Sequence, residues 1–177
     1  MKFKFNNKQN IRHTSKETGE DVWAGRNVAV AVRFTIRKRK TGHPRKHLVV
    51  QRGKDVNHIG EWCFPCGYLD FNETTKQAAQ RELYEETGIL IMDLDSFTLV
   101  EVVDDPSRDE LENITFHYDV SLVDPSGRDN LALRQYETIT KRFLDANPEN
   151  GEVTDIMFVE KPEPLKFAFN HEKRFRL

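Results

Sequence analysis

Three glutamates, Glu82, Glu85 and Glu86, have the spacing of side chains that share one face of a helix. Each residue of an α-helix turns the chain by about 100°, so Glu85 lies about 60° to one side of Glu82 and Glu86 about 40° to the other. Leu83 and Ala79 form the adjacent apolar face, which can anchor the helix to a sheet. Like charges at this spacing destabilise a helix unless a cation offsets them. Because hard divalent ions prefer oxygen ligands, the stripe predicts a Mg²⁺ or Mn²⁺ site.

A run of Glu-x-x-Glu-Glu on its own is more often a solvated acidic face than a metal site. Here it lies inside a longer pattern that begins at Gly67, continues through Glu73 and Arg81, and closes with Gly88 and Ile89. The segment resembles the Nudix box: glycine, five residues, glutamate, seven residues, then Arg-Glu-apolar-x-Glu-Glu-x-Gly-apolar. Every fixed position of that pattern is filled at its proper spacing. On this resemblance the chain is identified as a member of the Nudix hydrolase family.

The resemblance implies a role for each residue of the box. The positions that hold one or more divalent ions and serve catalysis in the family correspond here to Glu82, Glu85 and Glu86. Glu73 and Arg81 are expected to be framework residues that pair across the start of the helix. Gly67 and Gly88 are the structural glycines of the box, and Gly88 is also a common helix stop.

The carboxylate that activates the attacking water is expected to be Glu82 or a residue from a later loop, since the family varies on this point. Glu152, just before the last predicted strand, is the predicted catalytic base, with Glu149 and Asp155 as rivals. A divalent ion would lower the pKa of a bound water and stabilise charge on the leaving oxygen. The carboxylate would then take the proton of that water.

The resemblance extends more weakly to the residues before the box. Segment 62–67 is similar to the usual Trp-x-Phe-Pro-Gly-Gly lead-in, except that Cys66 stands where a second glycine is usual. Family members often use the carbonyl of that residue as a metal ligand. A backbone ligand can survive a side-chain change, so Cys66 is kept as a predicted metal ligand. Arg52, at the end of a predicted strand, is the expected diphosphate-binding residue because a guanidinium group can bind phosphate bidentately.

The resemblance implies hydrolysis of a nucleoside diphosphate linked to another group. Pro106, behind Asp104 and Asp105, is similar to a proline of ADP-ribose hydrolases, so an ADP-ribose or nucleotide-sugar substrate is favoured. Two alternatives stay open: a housecleaning nucleoside triphosphate pyrophosphohydrolase, and a non-catalytic sensor of ADP-ribose-type nucleotides. We expect a nucleotide-like small molecule as the partner, and neither nucleic acid nor a membrane.

An α+β fold must position these residues, and the resemblance narrows it to a Nudix-type α/β/α sandwich with a mixed β-sheet. Strands are predicted at 27–36, 48–52, 62–64, 97–103, 114–123 and 153–159, and helices at 74–87, 131–146 and 164–176. The helix near 131–146 is an insertion that spans about 125–150 with its flanking loops. The sequence leaves open whether it covers the site or forms a homodimer contact.

Composition sets the remaining expectations. The 177-residue chain is 37% hydrophobic and 32% charged, which fits a globular protein. Its net charge of −2 provides no overall positive potential that would attract nucleic acid. Cys63 and Cys66 are too few for a disulfide framework, so packing is favoured over a redox centre and a cytoplasmic location is expected. Residues 1–25 are expected to form an N-terminal arm or edge hairpin, and 26–177 a single hydrolase domain.

Overall fold

The structure is a computed structural model that describes residues 11–14, 16–17, 19, 21–38, 45–108, 112–124 and 130–176. Near the N-terminus, β1 (Ile11–Thr14) and β2 (Asp21–Ala24) form an antiparallel two-stranded hairpin. Within the predicted basic loop 37–47, residues 39–44 lie outside the described residues. The division of the chain at residue 25 stays a prediction.

A seven-stranded mixed sheet forms the centre of the protein. Its strands are β3 (Val28–Lys38), β4 (Lys46–Arg52), β5 (Trp62–Cys63), β6 (Cys66–Tyr68), β7 (Thr98–Val103), β8 (Ile114–Asp124) and β9 (Val153–Val159). The order is β5-β4-β3-β8-β7, while β6 also pairs with β3 and β9 with β4. Strands β3 and β8 are parallel and the other pairs are antiparallel, which confirms the predicted mixed sheet.

The central strands are apolar on both faces because both faces are covered. Val30 and Val32 of β3 are fully buried in the larger core cluster. In β4, Leu48 and Val50 lie in the same cluster, whereas Val49 between them lies in a smaller cluster on the opposite face. This arrangement explains the nearly continuous hydrophobic runs from which these strands are predicted.

Two helices pack against the larger core cluster. The bounds of α1 (Thr75–Thr87) and α2 (Leu131–Ala146) agree with the predicted ranges within one residue. Leu83 anchors α1 in the core, and Tyr136 of α2 lies edge-on to Phe34 with ring centroids 5.1 Å apart. The inserted helix therefore completes the core layer. No helix of the described residues is long and apolar enough to cross a membrane.

The predicted closing helix at 164–176 is wrong. The segment is irregular and ends in a short 3-10 helix, His171–Arg176. Phe169 and Asn170 have φ values of 57° and 56°, and two successive left-handed residues interrupt a right-handed helix. The segment covers the sheet face opposite α1 and α2, where Phe175 packs against the smaller core cluster. An irregular strap therefore forms this layer.

Candidate active site

Helix α1 is delimited by local interactions at both of its ends. At the start, Thr74 and Gln77 form a capping box, in which the Gln77 N–H donates to Thr74 Oγ1 and the Thr74 N–H donates to Gln77 Oε1. At the end, Gly88 adopts φ 72° and its N–H donates to the carbonyl of Tyr84 at 2.7 Å. These caps fix the helical register, and with it the direction of the box carboxylates.

The glutamates of the box differ in their burial. Glu82 and Glu86 are each only 8% exposed, whereas Glu85 is exposed at the surface. Burial raises the pKa of Glu86, with the nearby Cys66 thiol and the Glu82 charge acting in the same direction. Burial likewise raises the pKa of Glu82. Two buried carboxylates therefore lie side by side in a place where negative charge is destabilised.

Arg81 is the centre of an ion-pair network that joins the helix to the preceding loop. Its Nη2 donates to Glu73 Oε1 at 2.7 Å and to the carbonyl of Tyr68 at 2.8 Å. Its Nη1 donates to Glu82 Oε1 at 2.7 Å and to Glu85 Oε2 at 3.0 Å. Arg81 thus pairs with Glu73 across the helix start and also holds two of the three glutamates that are predicted to bind metal.

Strand β6 lies directly against the buried glutamates. A Cβ atom at Gly67 would overlap the carboxylate of Glu82, so this close approach requires glycine. The backbone N–H of Cys66 donates to Glu86 Oε2 at 3.0 Å. The hydrogen bond to Cys63 and burial raise the pKa of the Cys66 thiol, so at neutral pH it is a protonated packing group.

The predicted stripe of carboxylates is present but is divided between two partners. Glu82 and Glu85 turn towards Arg81, and Glu86 turns towards the backbone of Cys66. In the part of the chain that the structure describes, no three His, Cys, Asp or Glu side chains converge closely enough to hold a metal ion. The donor chemistry nevertheless fits a hard divalent cation, because two of these carboxylates are buried and their charge needs compensation.

The three candidate bases differ in their surroundings. After burial and the charge of Glu85, the charge of Glu152 also raises the pKa of Glu82, so Glu152 lies within electrostatic reach of the box. Its carbonyl accepts a hydrogen bond from Gly53 N–H at 2.7 Å. Asp155 Oδ1 instead accepts from the N–H of Ile156 at 2.8 Å, and Glu149 is exposed in the turn after α2.

Arg52 is buried and already engaged by the loop that follows it. Its Nε donates to the carbonyl of Asn57 at 2.7 Å, and its Nη2 donates to Asn57 Oδ1 at 2.5 Å. The guanidinium carbon lies 4.8 Å from the ring centroid of Phe169. Arg52 therefore links the loop to the C-terminal strap, besides facing the pocket described next.

A pocket of about 340 Å³ opens beside the box on the sheet face opposite the helices. Ala29 and Ala31 line it on β3, and Cys66 and Gly67 border it where they meet the buried glutamates. The other lining residues include Arg52, Arg108, Asn113, His117, Phe169 and Arg174. Among the described residues no carboxylate lines it, so the pocket suits an anionic ligand.

Sequence reasoning missed most residues of this pocket, including Asn113, His117 and Arg174. One signal was available in β8, where Thr115, His117 and Asp119 alternate with apolar residues and mark a polar face. Burial lowers the pKa of His117 to about 3, with the charge of Arg174 adding to the effect, so its imidazole is neutral at pH 7. No local pattern singled out Asn113 or Arg174, because the fold brings them to the pocket from distant parts of the chain.

Comparisons with known proteins establish the family and the fold of the chain. The family model of the NUDIX domain matches residues 25–170. A mutT/nudix family protein from Listeria innocua is 23% identical with a TM-score of 0.56, covering 85% of this chain and 89% of that chain. The NUDIX domain of NrtR from Shewanella oneidensis, solved with ADP ribose, is 18% identical with a TM-score of 0.59, covering 86% and 85%.

A third solved structure is a bifunctional NMN adenylyltransferase/ADP ribose pyrophosphatase from Francisella tularensis, complexed with AMP and a Mn ion. It is 20% identical with a TM-score of 0.54, and the match covers 86% of this chain and 40% of that chain. At these identities the solved structures establish a shared fold. A comparison with curated protein sequences gives no match. Since the family model covers most of the chain, the protein belongs to the NUDIX domain family and is a hydrolase of diphosphate bonds.

Proposed function

We propose that the protein hydrolyses, with Mg²⁺ or Mn²⁺, the diphosphate linkage of an ADP-ribose-type substrate. One observation carries the proposal: the buried carboxylates Glu82 and Glu86 lie against Cys66 and Gly67, which line a pocket that is also lined by arginines. Buried acidic groups with raised pKa values beside a concave site are typical of catalytic centres. A site of this kind can place a diphosphate between cations and the glutamates.

The residues that would hold the divalent ion are Glu82, Glu85 and Glu86, with the carbonyl of Cys66. Such an ion would supply Lewis acidity and a more acidic attacking water. Glu82 and Glu85 now bind Arg81, so ion binding has to compete with that guanidinium for both carboxylates. Glu86 accepts from one backbone N–H, and its buried charge gives it the strongest electrostatic reason to gain a cation.

The chain's own groups would divide the remaining work among positioning, proton transfer and exclusion of water. Glu152 is the proposed base, because its charge reaches Glu82 and its carboxylate is exposed to incoming water. Arg81 and Glu73 would hold the loop and helix in register. Arg52 would bind the diphosphate once its Nη2 releases the hydrogen bond to Asn57 Oδ1. Arg52 would therefore position first the loop and then the ligand.

The pocket supports a nucleotide with a second group attached. Its volume of about 340 Å³ is sufficient for a nucleoside, and its lining combines apolar walls with a few polar groups. The Shewanella oneidensis domain of the same fold was solved with ADP ribose, and the Francisella tularensis enzyme includes an ADP ribose pyrophosphatase. These two proteins favour ADP-ribose as the first ligand to test.

The test is a hydrolysis screen with Mg²⁺ and with Mn²⁺ on ADP-ribose, nucleotide sugars, dinucleoside polyphosphates and nucleoside triphosphates. We expect ADP-ribose to yield AMP and ribose 5-phosphate, and Glu86→Gln to lose at least about 10²-fold in kcat. Glu137→Gln, on the exposed face of α2, is the matched control and retains activity. Cleavage of triphosphates alone to a monophosphate and pyrophosphate would indicate the housecleaning alternative. ADP-ribose binding without any turnover would indicate the sensor.

A further inference from the structure

Two arginines that line the pocket share a single carboxylate. Arg108 donates from Nη2 to Glu101 Oε1 at 2.9 Å, and Arg174 donates from Nη1 to Glu101 Oε2. Both arginines line the pocket, whereas Glu101 does not. The cluster of these three side chains, called the arginine pair below, therefore carries one net positive charge.

The arginine pair keeps hydrogen-bonding capacity that the protein does not use. A guanidinium group has five N–H donors, and among the described residues only Glu101 accepts from the side chain of Arg108 or Arg174. The side chain of Arg108 is 53% exposed and that of Arg174 13%. Within the described residues, no nitrogen of Arg174 is both unpaired and sealed off from solvent. The unused N–H groups of both residues are therefore accessible to a ligand.

The charge around Arg174 favours an additional anion. Burial lowers the pKa of Arg174, and Glu101 opposes this effect. The charges of Arg108 and Arg33 act in the same direction as burial. A partly buried cation with other cations nearby is stabilised when a further negative charge approaches it.

One row of the sheet gives the position of the arginine pair relative to the box. Ala31 of β3 pairs with Cys66 of β6 on one side and with His117 of β8 on the other. His117 in turn pairs with Glu101 of β7. Three strand spacings therefore separate Cys66 from Glu101, a distance of about 14 Å. The arginine pair thus lies at the end of the pocket remote from the box glutamates.

The pocket continues past the arginine pair into a second cavity of about 510 Å³. Phe169 and Asn170 line both cavities, and so do the two arginines. Lys173 adds another cation to the second cavity, whose only carboxylate among the described residues is that of Glu101. A ligand that extends from the box through the pocket would therefore meet positive charge at its far end.

We propose that Arg108 and Arg174 form a second anion-binding subsite, which takes a phosphate or carboxylate group at the end of the ligand remote from the scissile diphosphate. The inference rests on the proposed function for the location of the diphosphate. A guanidinium group can bind either anion bidentately. The subsite deepens the proposed function, because it favours nucleoside diphosphate conjugates that carry an additional anionic group. The two arginines lie away from the reacting atoms, so they determine which conjugate binds rather than the chemical step.

The test compares three dinucleotides that share one diphosphate linkage. NAD⁺ has no further anionic group, NADP⁺ carries an additional phosphate on a ribose, and nicotinic acid adenine dinucleotide carries a carboxylate in place of the carboxamide. Binding is measured by calorimetry in the presence of EDTA, so that neither metal nor turnover is involved. We expect wild type to bind at least one of the two anionic probes about tenfold more tightly than NAD⁺. The probe that binds more tightly identifies phosphate or carboxylate as the recognised group.

Arg108→Gln leaves Arg174 balanced by Glu101, so the preference should fall to about twofold or less. Arg134→Gln, on the exposed surface of α2, removes the same charge outside the groove and keeps the preference. Thermal unfolding checks that both variants fold.

Equal binding of all three probes to wild type, no binding of any probe, or an unchanged preference in Arg108→Gln overturns the inference. Hydrolysis is assayed separately with Mg²⁺ on ADP-ribose and on the three probes. A preference in binding without any hydrolysis refutes the proposed function alone, and hydrolysis without a preference refutes this inference alone.

Discussion

Replacement of Gly67 by alanine is the sharpest test of how the active site is packed. The added Cβ would overlap Oε1, Cδ and Oε2 of Glu82, all closer than real Cβ atoms approach other groups. Gly67 is held in β6 by its pairing with Val30 of β3, so the strand cannot simply move away. The Glu82 carboxylate must therefore withdraw from β6 and loosen its contact with Arg81.

The size of the effect follows from this displacement. Ordinary van der Waals contact begins at 3.4 Å, so the carboxylate has to move by on the order of 1 Å. A misplacement of that size at a catalytic group can lower the rate by about 10²-fold. The cost in stability is smaller, about 1 kcal/mol, because the group that yields is the end of a flexible side chain. That cost corresponds to roughly 2–4 °C in Tm for a chain of this length.

The assay combines kcat for the diphosphate substrate with thermal unfolding, in a double-mutant cycle with Glu82→Asp. The shorter aspartate side chain makes room for the new methyl group, so the two changes should be non-additive in stability. We expect the double variant to be no less stable than Glu82→Asp alone. We expect Glu82→Asp itself to lower kcat. For this reason the double-mutant cycle compares free energies of unfolding rather than activities.

Two results would refute the reasoning. If Gly67→Ala retains wild-type kcat and Tm, the close approach of β6 to Glu82 has no energetic consequence. If Gly67→Ala is destabilised as strongly beside Asp at position 82 as beside Glu82, the overlap lies with some other group. In either case the role of Gly67 in positioning Glu82, the proposed catalytic carboxylate, would have to be abandoned.

Three further predictions follow from the site and the core. Saturating Mg²⁺ at about 100 times Kd should raise the Tm of wild type by roughly 5–10 °C, whereas Glu86→Gln should show little shift; equal shifts in both would exclude Glu86 as a ligand. Burial lowers the pKa of His47 to about 4, below 6.5 in the unfolded chain, so unfolding free energy should be lost as pH falls from 6.5 to about 4. That loss amounts to about 3 kcal/mol, and His47→Gln should reduce the slope of stability against pH; an unchanged slope would contradict the assignment. Tyr136→Ala, in α2, should lower stability by roughly 2 kcal/mol with KM unchanged; a raised KM at unchanged stability would instead indicate a lid.

Local features account for the parts of the fold that the sequence predicts well. Helix α1 is specified by its own caps, Thr74 with Gln77 at one end and Gly88 at the other, and α2 has the predicted bounds. The six strands that are predicted from short apolar runs have observed bounds within two residues of the predicted ones, whereas β6 is not predicted by any such run. Each of these patterns lies within a few neighbouring residues, so it can be recognised without knowledge of the rest of the chain.

The prediction of a closing helix was wrong because contacts with distant parts of the chain, rather than local features, decide the structure of this segment. Residues 164–176 have apolar residues at helical spacing, but Phe175 and Leu165 are satisfied by the smaller core cluster on the sheet. The backbone turns left-handed at Phe169 and Asn170 to reach that cluster. Tertiary packing of aromatic groups therefore overrode a weak local preference for helix.

The sequence by itself determined that Glu82, Glu85 and Glu86 share one helical face, because their spacing within the box alone places them there. Only the tertiary structure decided that Glu82 and Glu86 are buried while Glu85 is exposed. It alone brought Asn113 and His117 into the lining of the pocket, through the parallel pairing of β3 with β8. Burial and long-range pairing depend on contacts between residues far apart in the chain, and such contacts leave no periodic trace in a single sequence.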